Sequence, residues 1–589
     1  MRYLIRFLRP YIKECIFAPL FKLFEAVLDL LVPLVMTAII DEGIAKEDLS
    51  FILWMGALLL GFAVVGVVIA ITAQFFAAKA AVYFQTDVKH ALFKHIIRLD
   101  AASQDKVGSA TLITRMTGDI NQVAASVNWS LRLFLRSPFI VFGAMIMAFI
   151  IDVKAALLFV VLIPVLSVIV YICLRVTIPL YKNVQKRLDK VLLRTKENLA
   201  GVRVIRAFLR QKTEEESFEN ENETLLTEQL HVGRIASLMN PLTLLIVNSA
   251  LIFLIYVGGV RVEIGELTQG QVVALINYMS QILVELIKFA DVIIIVNKSL
   301  ACADRIREVF ELQEGEYSDL LSSNTDKNTK LGVSETNTSD ETKTDVALAC
   351  EGMSFSYPGS KKNALDGVDL NVKTSESLGI IGGTGSGKTT LLSLILKYYD
   401  VSDGSLYIFD KNINEWSPDI LRKRIGYVPQ RSVLFSGTIR SNLAWGNESA
   451  SDEKMWEALR IAQAEEFVKE KDGLDTVVEA GGRNFSGGQR QRLCIARALV
   501  KNADIYVFDD SFSALDTATE ATLRTQLSEY VNKVKATLVI VSQRIASVKG
   551  ADHILVLEDG QAVGYGKHDE LLESCEVYRE IDRIGGDGS

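Results

Sequence analysis

The sequence is poor in the residues from which small secreted domains and metal sites are built. Six cysteines (Cys15, Cys173, Cys302, Cys350, Cys494, Cys575) are scattered over 589 residues, and none stands at C-x-x-C spacing. A disulfide framework and a zinc ribbon are thereby excluded. Five histidines leave little for a zinc site. Positive charge is not in excess either: 63 Lys and Arg against 71 Asp and Glu give a net charge of -8, which argues against a nucleic-acid partner. What is plentiful is apolar side chain. At 49% hydrophobic, the chain cannot be mainly disordered. It is too apolar for an ordinary soluble enzyme and too charged, at 23%, for a protein lying wholly in a membrane. An average over two unlike halves fits.

The apolar excess lies in the first 300 residues. Long runs recur near 15–40, 51–78, 134–151, 155–180, 237–260 and 271–297. Each supplies the roughly 20 residues needed to cross a bilayer core. Six transmembrane helices are expected. The opening MRYLIRFLRPYIKE mixes Arg2, Arg6, Arg9 and Lys13 with apolar residues, as an amphipathic helix on the inner membrane surface does. A full-length helix follows it, so it does not read as a cleavable signal. The loop after the first helix is acidic. The long segments after the second and fourth are rich in Lys and Arg, from Lys79 to Arg115 and from Lys182 to Arg210. Basic loops stay in the cytoplasm, so both termini and everything after residue 300 face that side. The basic segments keep helical spacing and are expected to project as hairpins, with turns near 107–119 and 198–208.

Polar side chains inside such helices usually face a cavity. The first helix carries Lys22, Glu25 and Asp29; the last carries Glu285, Lys288 and Asp291 at helical spacing. Asn248 and Asn277 are further candidates. These groups either line a wet inner cavity or form structural ion pairs. The acidic excess points to cationic amphiphilic cargo.

Residues 1–311 are thus the membrane domain. Residues 312–345, dominated by Ser, Thr, Asn, Asp, Glu and Lys, form a solvated linker. From Val346 to about 580 short strands alternate with helices, an α/β pattern, and 581–589 is a tail. This half holds Gly382-Gly383-Thr384-Gly385-Ser386-Gly387-Lys388-Thr389, which fits G-x-x-x-x-G-K-[ST] between a strand-like SLGII and a helix-like TLLSLILKYY. The glycines let backbone N–H groups converge on phosphate at a helix N-terminus. Lys388 would neutralise the β- and γ-phosphates, and the Thr389 hydroxyl would ligate Mg²⁺. Further on, the apolar run Ile505-Tyr506-Val507-Phe508 ends in Asp509, the expected second Mg²⁺ carboxylate.

Between these motifs lies Ser486-Gly487-Gly488-Gln489. Here the chain resembles the ATP-binding cassette transporters, over essentially its whole length. Six helices and one cassette resemble a half-transporter of the exporter type, a membrane all-α domain followed by an α/β P-loop domain. The resemblance implies ATP and Mg²⁺ as ligands. Tyr357 matches the aromatic that stacks on adenine, and Gly382 to Thr390 match the phosphate loop and its first helical turn. Gln430 matches the Mg²⁺-contacting glutamine between the lobes. Ser513-Ala514-Leu515-Asp516 matches the loop after the magnesium aspartate, and 108–120 and 197–208 resemble the two coupling helices. In this family two cassettes stack head to tail, so Ser486, Gly487, Gly488 and Gln489 would meet ATP held by a partner.

The chain departs from the family at three places. The catalytic glutamate is replaced by Asp510, whose carboxylate is set back by about 1.5 Å. A misplacement of about 1 Å can cost roughly 100-fold in rate. The histidine after the serine of LVIVS is replaced by Gln543, which cannot become cationic. Before the signature, Ala480 replaces an acidic residue, with Glu479 one place earlier. Weakened catalytic positions beside an intact signature imply the degenerate half of a heterodimer. Its partner, a second half-transporter, would supply glutamate and histidine. The resemblance implies a bacterial multidrug-type exporter of small amphiphiles in the plasma membrane, in contact with lipid. Lipid or peptide export, or an ATP-binding membrane regulator that does not pump, are the alternatives.

Overall fold

A computed structural model describes residues 2–314 and 345–586. Most of the polar stretch 312–345, and the last three residues of the 581–589 tail, lie outside the described residues. The chain divides into two compact units. One joins Met1–Ile97 to Ser109–Glu311; the other joins Arg98–Gly108 to Leu312–Ser589.

The first unit is helical. Its long elements are Ile12–Ala38, Leu49–Arg98, Ile120–Leu133 with Arg136–Ile151, Val153–Ala200, Gln211–Glu263 and Gln269–Phe310. Small residues line their seams: Ala26, Ala73, Ala77, Ala80, Ala144, Ala148 and Ala274 are fully buried. Ala73, Ala77 and Ala80 recur at three- and four-residue spacing, so one helix face lets its neighbours approach closely, as in membrane bundles. Opposite faces are bare and apolar, with Leu60 69%, Val68 60% and Ile71 65% exposed. Apolar surface of that extent is suited to hydrocarbon, not water. Four helical stretches among the described residues are long and apolar enough to span a membrane: Tyr3–Ile44, Leu49–Arg98, Ser109–Ile151 and Leu244–Glu263. This differs from the six expected for two reasons. Several side chains in 155–180 are outside the described set, and Asn277, Ser280, Gln281, Glu285 and Lys288 interrupt the apolar run of the last helix.

The N-terminus also differs from expectation. It is a short α-turn, Arg2–Ile5, then a 3-10 segment, Arg6–Tyr11, that contains Pro10. Proline lacks the N–H that a continuous α-helix would use. Tyr3 lies with its ring 5.2 Å from Phe310, which ties this segment to the end of the last long helix.

The second unit is an α/β domain. Its strands are β1 (Val346–Phe355), β2 (Leu365–Lys373), β3 (Ser377–Gly382), β4 (Asp403–Ile408), β5 (Lys411–Asn412), β6 (Ile425–Val428), β7 (Gly437–Thr438), β8 (Val477–Val478), β9 (Ile505–Asp509), β10 (Thr537–Ser542), β11 (His553–Glu558) and β12 (Gln561–Gly566). The main sheet runs β12-β11-β3-β10-β9-β6, parallel except for the β12 edge. Its inner strands are continuous apolar runs because helices or a second sheet cover both faces. A four-stranded antiparallel sheet, β2-β1-β4-β5, packs into one core, and the helices around Gly487–Leu499 pack into the other.

The first hairpin turn falls earlier than expected. Arg98–Gly108, not 108–120, belongs to the cassette unit. Asp100 caps the helix Ala101–Val107 by accepting from the Ser103 amide at 2.7 Å, and Gly108 ends it at φ 78°. Cap and stop signals therefore place the turn. Residues 109–120 stay in the helical unit. There a π-turn at Arg115–Asp119 presents Asp119 to Arg305, whose Nε donates at 2.9 Å.

Candidate functional site

The parallel register brings the cassette motifs together. β10 lies between β3 and β9, pairing Val541 with both Ile380 and Asp509. The loops after β3, β9 and β10 therefore open side by side at the carboxyl ends of the strands, where α/β sheets bind ligands. They line one cleft of about 440 Å³. Tyr357, Thr384, Gly385, Gly387, Lys388, Thr389, Thr390, Gln430, Asp509, Asp510 and Gln543 all border it. Gly382, Gly383 and Ser386 complete the loop behind them.

The loop needs its glycines. Gly387 has φ 100°, and a Cβ there would lie 2.6 Å from the Leu365 side chain and 2.8 Å from the Ala364 carbonyl. The Lys388 ammonium is folded onto the loop, donating to Gly382 O at 2.8 Å and Gly383 O at 2.6 Å. Burial lowers its pKa, and the Asp510 and Asp509 carboxylates partly oppose that. Asp509 is 2% exposed and its Oδ2 has no partner among the described residues. Burial, with the Asp510 charge next in effect, pushes its carboxyl up to about 6. A buried orphan carboxylate oxygen beside a folded-back lysine is a costly arrangement without a ligand. It fits a divalent cation bridging to phosphate. Asp510 is also raised by burial, with a hydrogen bond from Gln430 and the Lys388 and Arg544 charges opposing. Its backbone sits at φ 46°, and its amide donates to Val541 O at 2.9 Å.

At another edge of the cleft, the Tyr357 hydroxyl lies 3.1 Å from Thr390 Oγ1. Its ring meets Tyr399 edge-on at 5.3 Å. The Tyr399 hydroxyl donates to the Asp105 carboxylate, inside the same unit. Sequence motifs did not point to Tyr399, which backs Tyr357, nor to Ser360, Lys362, Asn363 and Asp559, which border the cleft themselves.

Ser486, Gly487, Gly488 and Gln489 are not at this cleft. Ser486 caps the thirteen-residue helix Gly487–Leu499 in a capping box with Gln489: the Gln489 amide donates to Ser486 Oγ at 3.3 Å, and the Ser486 amide to Gln489 Oε1 at 3.0 Å. Ser486 and Gly487 are exposed. The next turn holds a residue the motifs did not mark. Gln491 is 3% exposed, accepts from the Ala514 amide at 3.2 Å and donates to Asp510 O at 3.4 Å. It ties the signature helix to the loop that follows Asp509. In the loop before the signature, Asn484 accepts from the Glu479 amide at 3.1 Å and donates to Val477 O at 2.7 Å.

The helical unit contains a second cleft, of about 550 Å³, and Asp29, Asn277, Glu285 and Lys288 border it. Asn248 and Asp291 do not border it and are exposed. Arg136, from a different helix, reorganises the charge. Its guanidinium donates to Glu285 at 2.6 Å and Asp29 at 2.8 Å, with Glu25 at 3.8 Å. Glu285 also accepts from Ser137 at 2.8 Å and Lys288 at 2.9 Å, and Lys22 pairs with Glu25. Lys22, Arg136 and Lys288 thus balance Glu25, Asp29 and Glu285, three against three. The expected acidic excess is overturned at this cluster, because its cations neutralise it.

The family profile described as ABC transporter transmembrane region matches residues 15–286, and that described as ABC transporter matches residues 365–513. An uncharacterized ABC transporter ATP-binding protein of Mycobacterium tuberculosis is 36% identical over 98% of this chain and 96% of its own. The uncharacterized ABC transporter ATP-binding protein YfiB of Bacillus subtilis is 34% identical over the full length of both chains. An ATP-dependent lipid A-core flippase of Salmonella typhimurium is 27% identical over 98% of this chain and 96% of its own.

Proposed function

The chain belongs to the ABC transporter family as an exporter half-transporter, a membrane domain followed by an ATP-binding domain, and we propose that it is the slow-site subunit of a heterodimer exporting amphiphilic compounds. ATP hydrolysis in this family is coupled to transport. In this reading six helices cross the plasma membrane of a bacterium, and the termini and cassette face the cytoplasm. The domains are residues 1–311, 312–345 and 346–580.

One observation carries the reading. The cleft that holds Lys388 and Asp509 also holds Asp510 and Gln543, whereas Ser486 is exposed at a capped helix start away from it. Tyr357 would stack on the adenine, and the Gly382–Thr390 backbone with Lys388 would cradle the phosphates. Thr389, Gln430 and Asp509 would hold Mg²⁺, which spreads the charge of the β- and γ-phosphates. Asp510 is short, and Gln543 offers a neutral amide where a cation would serve. The site therefore orients a water molecule poorly and keeps its ATP. Ser486, Gly487, Gly488 and Gln489 present a helix N-terminus to ATP on the partner, where turnover occurs.

The test is the steady-state ATPase of the purified chain alone and together with the half-transporter that accompanies it. The account expects little turnover alone. It expects Asp510→Glu with Gln543→His to raise that turnover roughly 10- to 100-fold. Fast turnover by the unaltered chain alone would end it. The flippase relative favours a second reading, lipid as cargo through the same architecture.

A further inference from the structure

The second cleft is bordered by charges of both signs. Of the four charged residues bordering it, two are locked away: the Glu285 side chain is 4% exposed and that of Arg136 10%. Two are open, Asp29 with 44% and Lys288 with 41% of the side chain exposed. The cleft therefore offers one accessible carboxylate and one accessible ammonium. Its polar groups are also unspent. Arg136 Nε and Gln281 Oε1 are buried without partners among the described residues, one a donor and one an acceptor. The remaining wall is apolar, including Val32, Met36 and Ile140. A volume of about 550 Å³ lies in the range of small-ligand sites.

We propose that this cleft binds the head of a zwitterionic amphiphile, with its cationic group at Asp29 and its anionic group at Lys288. The proposal rests on the export reading above and names the cargo class for it. The physical reason is desolvation. A purely cationic amphiphile would meet Asp29 and strip water from the exposed part of Lys288, which Glu285 alone would then partner; a purely anionic one would do the reverse, leaving Asp29 to Arg136 alone. A zwitterion meets both charges, adds no net charge to a cluster already balanced three against three, and leaves its tail against the apolar wall. Arg136 Nε and Gln281 Oε1 supply the further hydrogen bonds that orient the head. A free zwitterionic compound and a zwitterionic lipid share this chemistry.

The test uses the full-length protein with any half-transporter that accompanies it, in nanodiscs of phosphatidylglycerol, which carries no ammonium group. Three single-chain probes of equal tail length are titrated by thermophoresis: dodecylphosphoethanolamine, dodecylammonium and dodecyl methyl phosphate, a phosphodiester with one negative charge. The zwitterion is expected to bind about tenfold tighter than either singly charged probe. Asp29→Asn should abolish its advantage over the anion, and Lys288→Gln its advantage over the cation. ATP binding at the cassette reports that each variant is folded, and the comparison of probes on the unaltered protein needs no variant. Phosphatidylethanolamine added to the discs should compete if the natural cargo is lipid; a free compound as cargo predicts binding that the lipid does not displace. Both outcomes support the zwitterion. Equal or tighter binding of dodecylammonium, or full zwitterion affinity retained in both variants, would overturn it. ATP-driven uptake into vesicles is scored separately. Zwitterion preference without uptake leaves this inference standing and defeats the export reading alone.

Discussion

Asp509 and Asp510 are adjacent carboxylates held in one cleft beside Lys388, and the upward shift of both follows from burial there. The Asp509 carboxyl sits at about 6, above its ordinary value of 3.8. The ligand-free fold therefore binds this proton more tightly than the unfolded chain does. This interaction favours folding as pH falls from above about 6 toward 3.8, and the benefit is lost as pH rises through about 6. Mg²⁺–ATP needs the ionised form. Binding at pH 6 is expected to release about half a proton. At pH 8 the release should be near zero. Calorimetry in buffers of different ionisation enthalpy measures this directly, and Asp509→Asn should remove it. The phosphate loop of this cleft was legible in the sequence because it is a local object: spacing within eight positions creates it. Arg136 was not legible. It lies 107 residues from Asp29 and 149 from Glu285, and only helix packing brings the three together.

At the scale of elements, the helices meet through that arginine. It is the sole side chain shared by Glu25, Asp29 and Glu285 among the described residues. Arg136→Met leaves the buried Glu285 carboxylate with Ser137 and Lys288 alone, so the loss should fall below the roughly 3–5 kcal/mol of a fully unpaired buried charge. Thermal unfolding in detergent should show that loss, and the paired Arg136→Met with Glu285→Met should recover part of it. In the cassette unit, the helix Ala101–Val107 is tied to Tyr399 through Asp105. Tyr399→Phe keeps the ring against Tyr357 and removes the hydroxyl. Hydrogen exchange is expected to accelerate across 98–108 while the central strands stay protected. Boundaries of this kind were the least legible. The basic hairpin was evident from its charge, but its turn is fixed by the Asp100 cap and by Gly108 as a helix stop, and the motif at 108–120 drew attention away from the capped helix before it.

The whole molecule divides as its composition does. An apolar helical half and an α/β half were both evident in the sequence, because helical periodicity and a strand–loop–helix phosphate motif are short-range signals. Two features needed three dimensions. One is the neutral charge balance of the membrane cleft. The other is that Ser486 lies at a helix start away from the cleft that holds Lys388, so that in the proposed heterodimer this chain would carry one half of each of two ATP sites. The central claim is that these halves are unequal. Its most direct test is steady-state ATPase of the complex between this chain and its partner, with one change at a time in this chain. The account predicts that Ser486→Arg, which blocks the signature, abolishes turnover by at least about 100-fold, a loss of about 2.7 kcal/mol in barrier terms. Asp510→Asn, at the slow site, should leave turnover within about twofold, under 0.5 kcal/mol on the same scale. Turnover that collapses in Asp510→Asn and survives Ser486→Arg would contradict it.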